Sequence, residues 1–191
     1  FTNDPIDDPV DGLLWNWSKL QEEVLIGLNM AAKKYPLTSV AVDSWGVDYQ
    51  LLNSDGSLNK RVFSYRNLRL EGVMEDTTKL VGKERIYKST GIQFLTFNTI
   101  YQFIAGLSID EFDGAFQFLM LPDALNYFLC GSATQEVTNA STTQLLNPVT
   151  RDWDWDLIAE LDLPKRIFPA LHEAGAFLSK IKGHGELDGI Q

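Results

Sequence analysis

A single cysteine, Cys130, stands in a chain of 191 residues, so no internal disulfide can form and the fold must be held by its core. Beside Tyr127-Phe128-Leu129 this thiol reads as a small buried hydrophobe kept reduced, which points to a cytoplasmic setting. Basic residues are also few. Sixteen Lys and Arg against 26 Asp and Glu leave a formal charge of -10, which disfavours nucleic acid or an anionic membrane as a partner. No stretch approaches the roughly eighteen consecutive apolar residues that a membrane-spanning helix needs. The opening Phe1-Thr2-Asn3-Asp4-Pro5-Ile6-Asp7-Asp8 lacks the basic and apolar regions of a secretory signal. His172 and His184 have neither cysteine partners nor an i, i+4 histidine, so no metal site is expected. A Walker phosphate loop is absent, which excludes a P-loop nucleotide site in this chain. There is no initiator methionine and the chain opens in mid-phrase, so it reads as an excised segment of a longer polypeptide.

What is present is ordinary globular sequence, 45% hydrophobic, enough to bury a core as one domain or a large part of one. Residues 1–12 are acidic and turn-rich and read as a surface connection. From Asn16 to Tyr35 the positions Leu20, Val24, Leu28 and Ala31 recur at helical spacing, with Asn16 or Ser18-x-x-Gln21 as cap and Pro36 beyond the end. Ser39 to Val42 reads as a short buried strand. Tyr49-Gln50-Leu51-Leu52 and Arg61-Val62-Phe63-Ser64 flank a loop with Asp55-Gly56 that suits a hairpin. Asn67 is placed to cap a helix through Val73, Met74, Thr77 and Leu80, closed by Gly82, and Glu84 to Ser89 forms another, stopped by Gly91. Asn98 to Leu107 is a further helix, Ser108-x-x-Glu111 has the form of a capping box, and Phe116 to Leu121 is an apolar run of strand length. Asp123 to Leu129 returns to helix with Gly131 behind it, and the remainder is mostly loop and short helix. Helices alternating with short strands argue an α/β domain.

The stretch that carries chemistry is Val40 to Tyr49, where an apolar segment runs into a polar turn, Asp43-Ser44-Trp45-Gly46-Val47-Asp48. A glycine admits close approach of backbone to a ligand, and in α/β folds the ends of strands open onto the binding crevice. Taken alone, Gly46 is equally a strand-ending glycine and Trp45 a core aromatic. Asp43 and Asp48 are either a pair for acid and base work or carboxylates satisfied by nearby backbone. Asp152-x-Asp154-x-Asp156 begins like a calcium loop, but Leu157 and Leu163 stand where the turn glycine and bidentate glutamate belong, so it reads as a capped helix start.

Three ordered blocks sharpen this: Asp43 to Tyr49, Ser64-Tyr65-Arg66-Asn67-Leu68-Arg69, and Ser89 to Gln102 with Gly91-Ile92-Gln93-Phe94-Leu95-Thr96-Phe97-Asn98 at its centre. Leu121-Pro122-Asp123, Thr138 to Leu145 and Asp152-Trp153-Asp154 continue the pattern, so that residues 10 to 180 resemble the FGGY carbohydrate kinase family, and within it the branch acting on L-rhamnulose. The Trp45-Gly46 turn separates that branch from the xylulose- and glycerol-directed members.

The resemblance implies a ribonuclease H-like or actin-like α/β fold with a mixed sheet flanked by helices, and an ATP- and Mg2+-dependent transfer of phosphate to a sugar hydroxyl. It implies that residues 1–191 are most of the N-terminal, sugar-binding domain, lacking the upstream phosphate-binding strands and the C-terminal ATP domain. On this reading no residue here is catalytic, since the proton-accepting aspartate lies beyond Gln191 and the phosphate turn before Phe1. Gly46 matches the position that meets the sugar, and Trp45, Tyr65, Gln93, Phe97 and Asn98 are further substrate-binding candidates from the matched motifs. Thr96 stands where the pattern expects proline, which bears on how Phe97 is placed. Arg66 and Arg69 read as either anion contacts or members of solvated ion pairs. Two rivals remain open at this stage: a kinase for L-fuculose or another deoxy sugar or polyol, and a sugar-binding regulatory module that kept the fold without the chemistry.

Overall fold

A computed structural model describes residues 1–191. The chain begins with a small antiparallel hairpin, β1 (Ile6–Asp8) on β2 (Gly12–Leu14), inside a segment whose prolines and carboxylates argue for a plain connection. Helix α1 (Trp17–Lys34) follows, capped by Asn16, whose Oδ1 accepts from the Lys19 amide at 3.0 Å. Its Trp17 and Leu20 are buried, and Val24, Leu25 and Leu28 pack at the edge of a smaller cluster around Leu129, Ile181 and Leu187.

The centre of the molecule is a two-stranded antiparallel ladder, β3 (Tyr49–Asn53) on β4 (Ala115–Met120), with a register shift between Leu52 and Asn53. Side-chain alternation divides the core around it. Tyr49 and Leu51 with Phe118 and Met120 face a large cluster that also holds Phe103, Phe112, Trp153 and Phe168. Leu119 faces a second cluster with Trp15, Trp17, Val62, Leu121 and Leu125. Edge-on contacts dominate the first: Phe103 meets Tyr49 at 4.7 Å and Phe118 at 4.9 Å between ring centroids, the arrangement that aromatic quadrupoles favour.

Helices α2 (Val73–Val81) and α3 (Lys83–Thr90) are separated by Gly82, whose φ of +91° only glycine adopts freely. After them come α4 (Thr99–Leu107) and α5 (Leu121–Cys130). The C-terminal third adds β5 (Gln135–Glu136), α6 (Val137–Ser141), β6 (Leu146–Asn147), β7 (Asp152–Trp153), α7 (Trp155–Glu160) and β8 (Leu171–His172). β5 pairs parallel with β8 and β6 antiparallel with β7; all four ladders are separate two-stranded sheets, so the α/β class holds while the expected single mixed sheet does not form within residues 1–191. Asp154 caps α7 by accepting from the Leu157 amide at 2.8 Å, the helix start expected in place of a calcium loop.

Four local expectations change. Ser39–Val42 is not a ladder strand: its one backbone bond to another segment runs from Val40 N to Gln191 O, and Ser39 and Ala41 are exposed. Arg61–Ser64 does not pair with β3, which takes β4; only the turn at Asp55-Gly56 folds back, through a Leu52–Leu58 bridge, while Phe63 bridges to Leu14. Asn67 caps a single 3-10 turn, Leu68–Leu70, and α2 starts separately after Gly72. Ser108 and Glu111 form no capping box. Ser108 Oγ donates to Ala105 O, and Glu111 turns inward to Tyr49 and Arg69, a buried ion pair that outcompetes a surface cap.

Candidate functional site

The turn entering β3 is held from two sides. Gly46 lies against α6: a Cβ at this position would sit 3.0 Å from Thr142 Oγ1 and 3.3 Å from Asn139 Oδ1. Glycine is favoured here by close approach rather than by backbone conformation, since positive φ falls instead on the next residue, Val47, at +68°. The opposite, N-terminal end of α6 is capped by Glu136, which accepts from the Thr138 and Asn139 amides at 2.7 and 2.8 Å.

Asp48 follows, fully buried. Its carboxylate is satisfied by side chains: Trp15 and Trp45 indoles donate to Oδ2 at 2.6 and 2.9 Å, and Gln102 Nε2 donates to Oδ1 at 3.1 Å. Burial pushes its pKa up to about 6, against these three donors, which pull it down. Asp43, by contrast, is exposed. The two carboxylates therefore occupy opposite environments, and Asp48 serves as the anchor of two indoles.

The six sequence candidates divide. Trp15 links Trp45 and Tyr65, with centroids 4.9 and 6.3 Å away, and Tyr65 meets Phe97 at 5.4 Å, so Trp45, Tyr65 and Phe97 belong to one aromatic cluster. Phe97 is well held despite Thr96, since its carbonyl accepts from Gln102 at 3.0 Å and the turn closes through Asn98 N to Leu95 O. Asn98 is buried, and its amide donates to Gln93 O at 2.8 Å and Gln144 Oε1 at 3.0 Å, which commits both of its hydrogens within the protein. Gln93 is exposed, away from that pairing except through its carbonyl. Gly46 stands apart from the other five: it alone among them lines a cleft of about 650 Å³.

That cleft is bordered by Val40, Val42, Pro122, Asp123, Asn139, Thr142 and His172. Asp123, in the first turn of α5, is almost wholly buried; its Oδ1 accepts from the Glu136 amide at 3.2 Å and lies 3.7 Å from His172 Nε2, and burial raises its pKa. Sequence reasoning missed Trp15, Gln102, Asn139 and Thr142 as parts of this site. The Thr138–Leu145 block was visible as a pattern, but only its packing against Gly46 gives it a role. Arg69 is no surface cation: it pairs with Glu111 at 2.6 Å and stacks over Phe63, while Arg66 lies over Tyr65. No group of three His, Cys, Asp or Glu side chains is arranged to hold a metal ion by protein ligands alone.

The fold is that of a sugar-kinase domain of the actin-like α/β class. A xylulose kinase from Lactobacillus acidophilus superposes with a TM-score of 0.85 at 18% identity over 96% of this chain and 38% of that one. A xylulose kinase from Rhodospirillum rubrum gives 0.84 at 14% identity over 99% and 40%. Residues 16–188 match the FGGY family of carbohydrate kinases, N-terminal domain, and the chain belongs to that family. Among curated relatives, a rhamnulokinase from Oceanobacillus iheyensis is 40% identical over 157 residues, covering 81% of this chain and 33% of that protein. A rhamnulokinase from Pectobacterium carotovorum is 43% identical over 155 residues, covering 80% and 31%. The chain thus spans about a third of the length of these relatives.

Proposed function

We propose that this chain is the sugar-facing part of a rhamnulokinase, in which ATP phosphorylates the 1-hydroxyl of L-rhamnulose to give L-rhamnulose 1-phosphate. The observation that carries this reading is the Asp43 to Tyr49 turn, in which Gly46 forms part of the wall of a 650 Å³ cleft. A cleft of that size accommodates a small polyol. Relatives named rhamnulokinase at 40% and 43% identity support the choice of ketose; the structural neighbours, at 18% and 14% identity, support the fold alone.

Phosphoryl transfer needs nucleotide positioning, neutralisation of charge by a metal and a base near the attacking oxygen. By likeness to the FGGY kinases, of whose curated relatives the chain spans about a third, we assign ATP, Mg2+ and the base to polypeptide outside residues 1–191, and the 191-residue chain by itself is expected to be inactive. Its own residues set the shape of the sugar wall: Gly46 lines the cleft by close approach, while Trp45, Tyr65 and Phe97, which do not line it, form an aromatic cluster fixed through Trp15 and Asp48 that supports the turn. Asn98, with its amide committed internally, serves that shape rather than a hydroxyl. ATP use and a lone buried thiol support a cytoplasmic setting, and no helix is long and apolar enough to cross a membrane.

The test is a substrate panel for the complete kinase: L-rhamnulose, L-fuculose, D-xylulose and glycerol with ATP and Mg2+. Preferential phosphorylation of L-rhamnulose is expected. Preference for any of the other three sinks the assignment, and binding of sugar without turnover favours a regulatory module.

A further inference from the structure

Val47 holds a conformation that its side chain opposes. Its φ of +68° lies in the left-handed region, where a β-branched residue crowds its own backbone and glycine or asparagine is the usual occupant. The glycine beside it does not take the positive angle, so the sequence Gly46-Val47 places the permissive residue one position away from the strained one. Such outliers persist only where surrounding structure over-determines them.

Three side chains from two elements do so. Thr99 Oγ1, at the start of α4, donates to Val47 O at 2.7 Å, and Gln102 Nε2, one turn further, lies 3.0 Å from the same oxygen, its two hydrogens shared among Val47 O, Phe97 O and Asp48 Oδ1. Thr142 Oγ1, just past α6, accepts from Val47 N at 3.4 Å and also sits closest to the Cβ position of Gly46. Thr142 is itself held, donating to Asn139 O at 2.8 Å. Both ends of the Val47 backbone are therefore clamped, and the α6 end of the clamp also lines the cleft. A turn needed only to connect extended chain to β3 would be relaxed by glycine at 47 at no cost to function.

We infer that Thr99, Gln102 and Thr142 are positioning residues that hold Val47 in its left-handed conformation and so fix the Gly46 wall against which a ketose binds. The inference rests on the reading of Gly46 as sugar-facing and adds the residues that make that wall rigid. In this inference each acts through the 46–47 backbone.

The experiment compares Val47→Gly, Thr142→Val and Thr142→Ser in the complete kinase, with calorimetry of the same proteins. Glycine at 47 relieves the strain and loosens the bend, so Val47→Gly unfolds at no lower temperature than the parent while its KM for L-rhamnulose rises about tenfold relative to its KM for ATP. Thr142→Val keeps shape but loses the acceptor for Val47 N and raises the ketose KM; Thr142→Ser, which keeps the hydroxyl, restores it. A Val47→Gly ketose KM within about twofold of the parent overturns the inference, as does a fall in melting temperature of more than about 5 °C, which makes Val47 a packing residue. A parent that phosphorylates no ketose removes the reading of Gly46 and this inference together. An active parent with an unmoved Val47→Gly KM removes only the inference.

Discussion

The indole nitrogen of Trp15 lies 2.6 Å from Asp48 Oδ2, joining the segment before α1 to the turn that enters β3 across 33 residues of sequence. The same oxygen accepts from Trp45 at 2.9 Å, so one buried carboxylate sets the positions of two of the rings beside the proposed sugar wall.

Asp48 gives that arrangement a pH signature. Its folded pKa of about 6 exceeds its ordinary value of 3.8, so between these values the native state holds a proton that the unfolded chain has released. Its contribution to stability is full below about pH 4 and is lost as pH rises through about 6. Asp48→Asn removes this slope. The parent-minus-variant stability from urea unfolding should shrink by on the order of 3 kcal/mol between about pH 4 and pH 7. Tryptophan emission of the parent should change with a midpoint near 6, and the variant should lack that change. A difference that grows with pH contradicts the assignment.

Gly46→Ala should destabilise the fold by about 1–3 kcal/mol, because the added methyl meets Thr142 and Asn139 closer than packing allows. Thr142→Ala removes the nearest of these atoms. In the double variant the cost should fall below the sum of the single costs by about 0.5–2 kcal/mol in denaturant unfolding. Strict additivity argues that α6 yields and that the glycine is needed for another reason.

The Arg69–Glu111 pair, at 2.6 Å with side chains 13% and 5% exposed, should behave as a buried ion pair. Arg69→Met leaves Glu111 with Tyr49 as its hydrogen-bond partner and should cost about 3–5 kcal/mol. Adding Glu111→Gln, which removes the stranded charge, should recover part of that loss. An Arg69→Met loss under about 1 kcal/mol would place the pair with exposed bridges.

Asp154→Ala should cost about 1 kcal/mol through the lost α7 cap. Calcium should leave the melting temperature of the parent unchanged, since Leu157 stands in place of the turn glycine and Leu163 in place of the bidentate glutamate of the apparent loop. A calcium-dependent rise in that temperature would revive the loop reading.

Much of the fold was legible because local signals dominate it. Asn16 and Asp154 cap where their spacing says, and Gly82, Gly91 and Gly131 end helices at positive φ. The apolar run at 116–121 is a strand, β4, over Ala115–Met120, buried except at Phe116, with Leu121 opening α5. What stayed hidden depends on partners distant in sequence. β3 pairs with β4, more than sixty residues away, rather than with the nearer Arg61–Ser64, and nothing local distinguishes those choices. Ser39–Val42 has strand composition, yet within residues 1–191 its only backbone bond to another segment is Val40 N to Gln191 O. The same limit applied at the site. Gly46 and Trp45 announce themselves by residue type, whereas Thr142, Asn139, Gln102 and Trp15 matter through contacts that span 33 to 95 residues.

The most direct measurement is a crystal structure of the complete kinase with L-rhamnulose bound. The sugar is predicted to rest against the Gly46 backbone, with Val47 still left-handed and Thr142 behind it. A ketose lodged in a pocket remote from that bend, with turnover intact, would contradict the account.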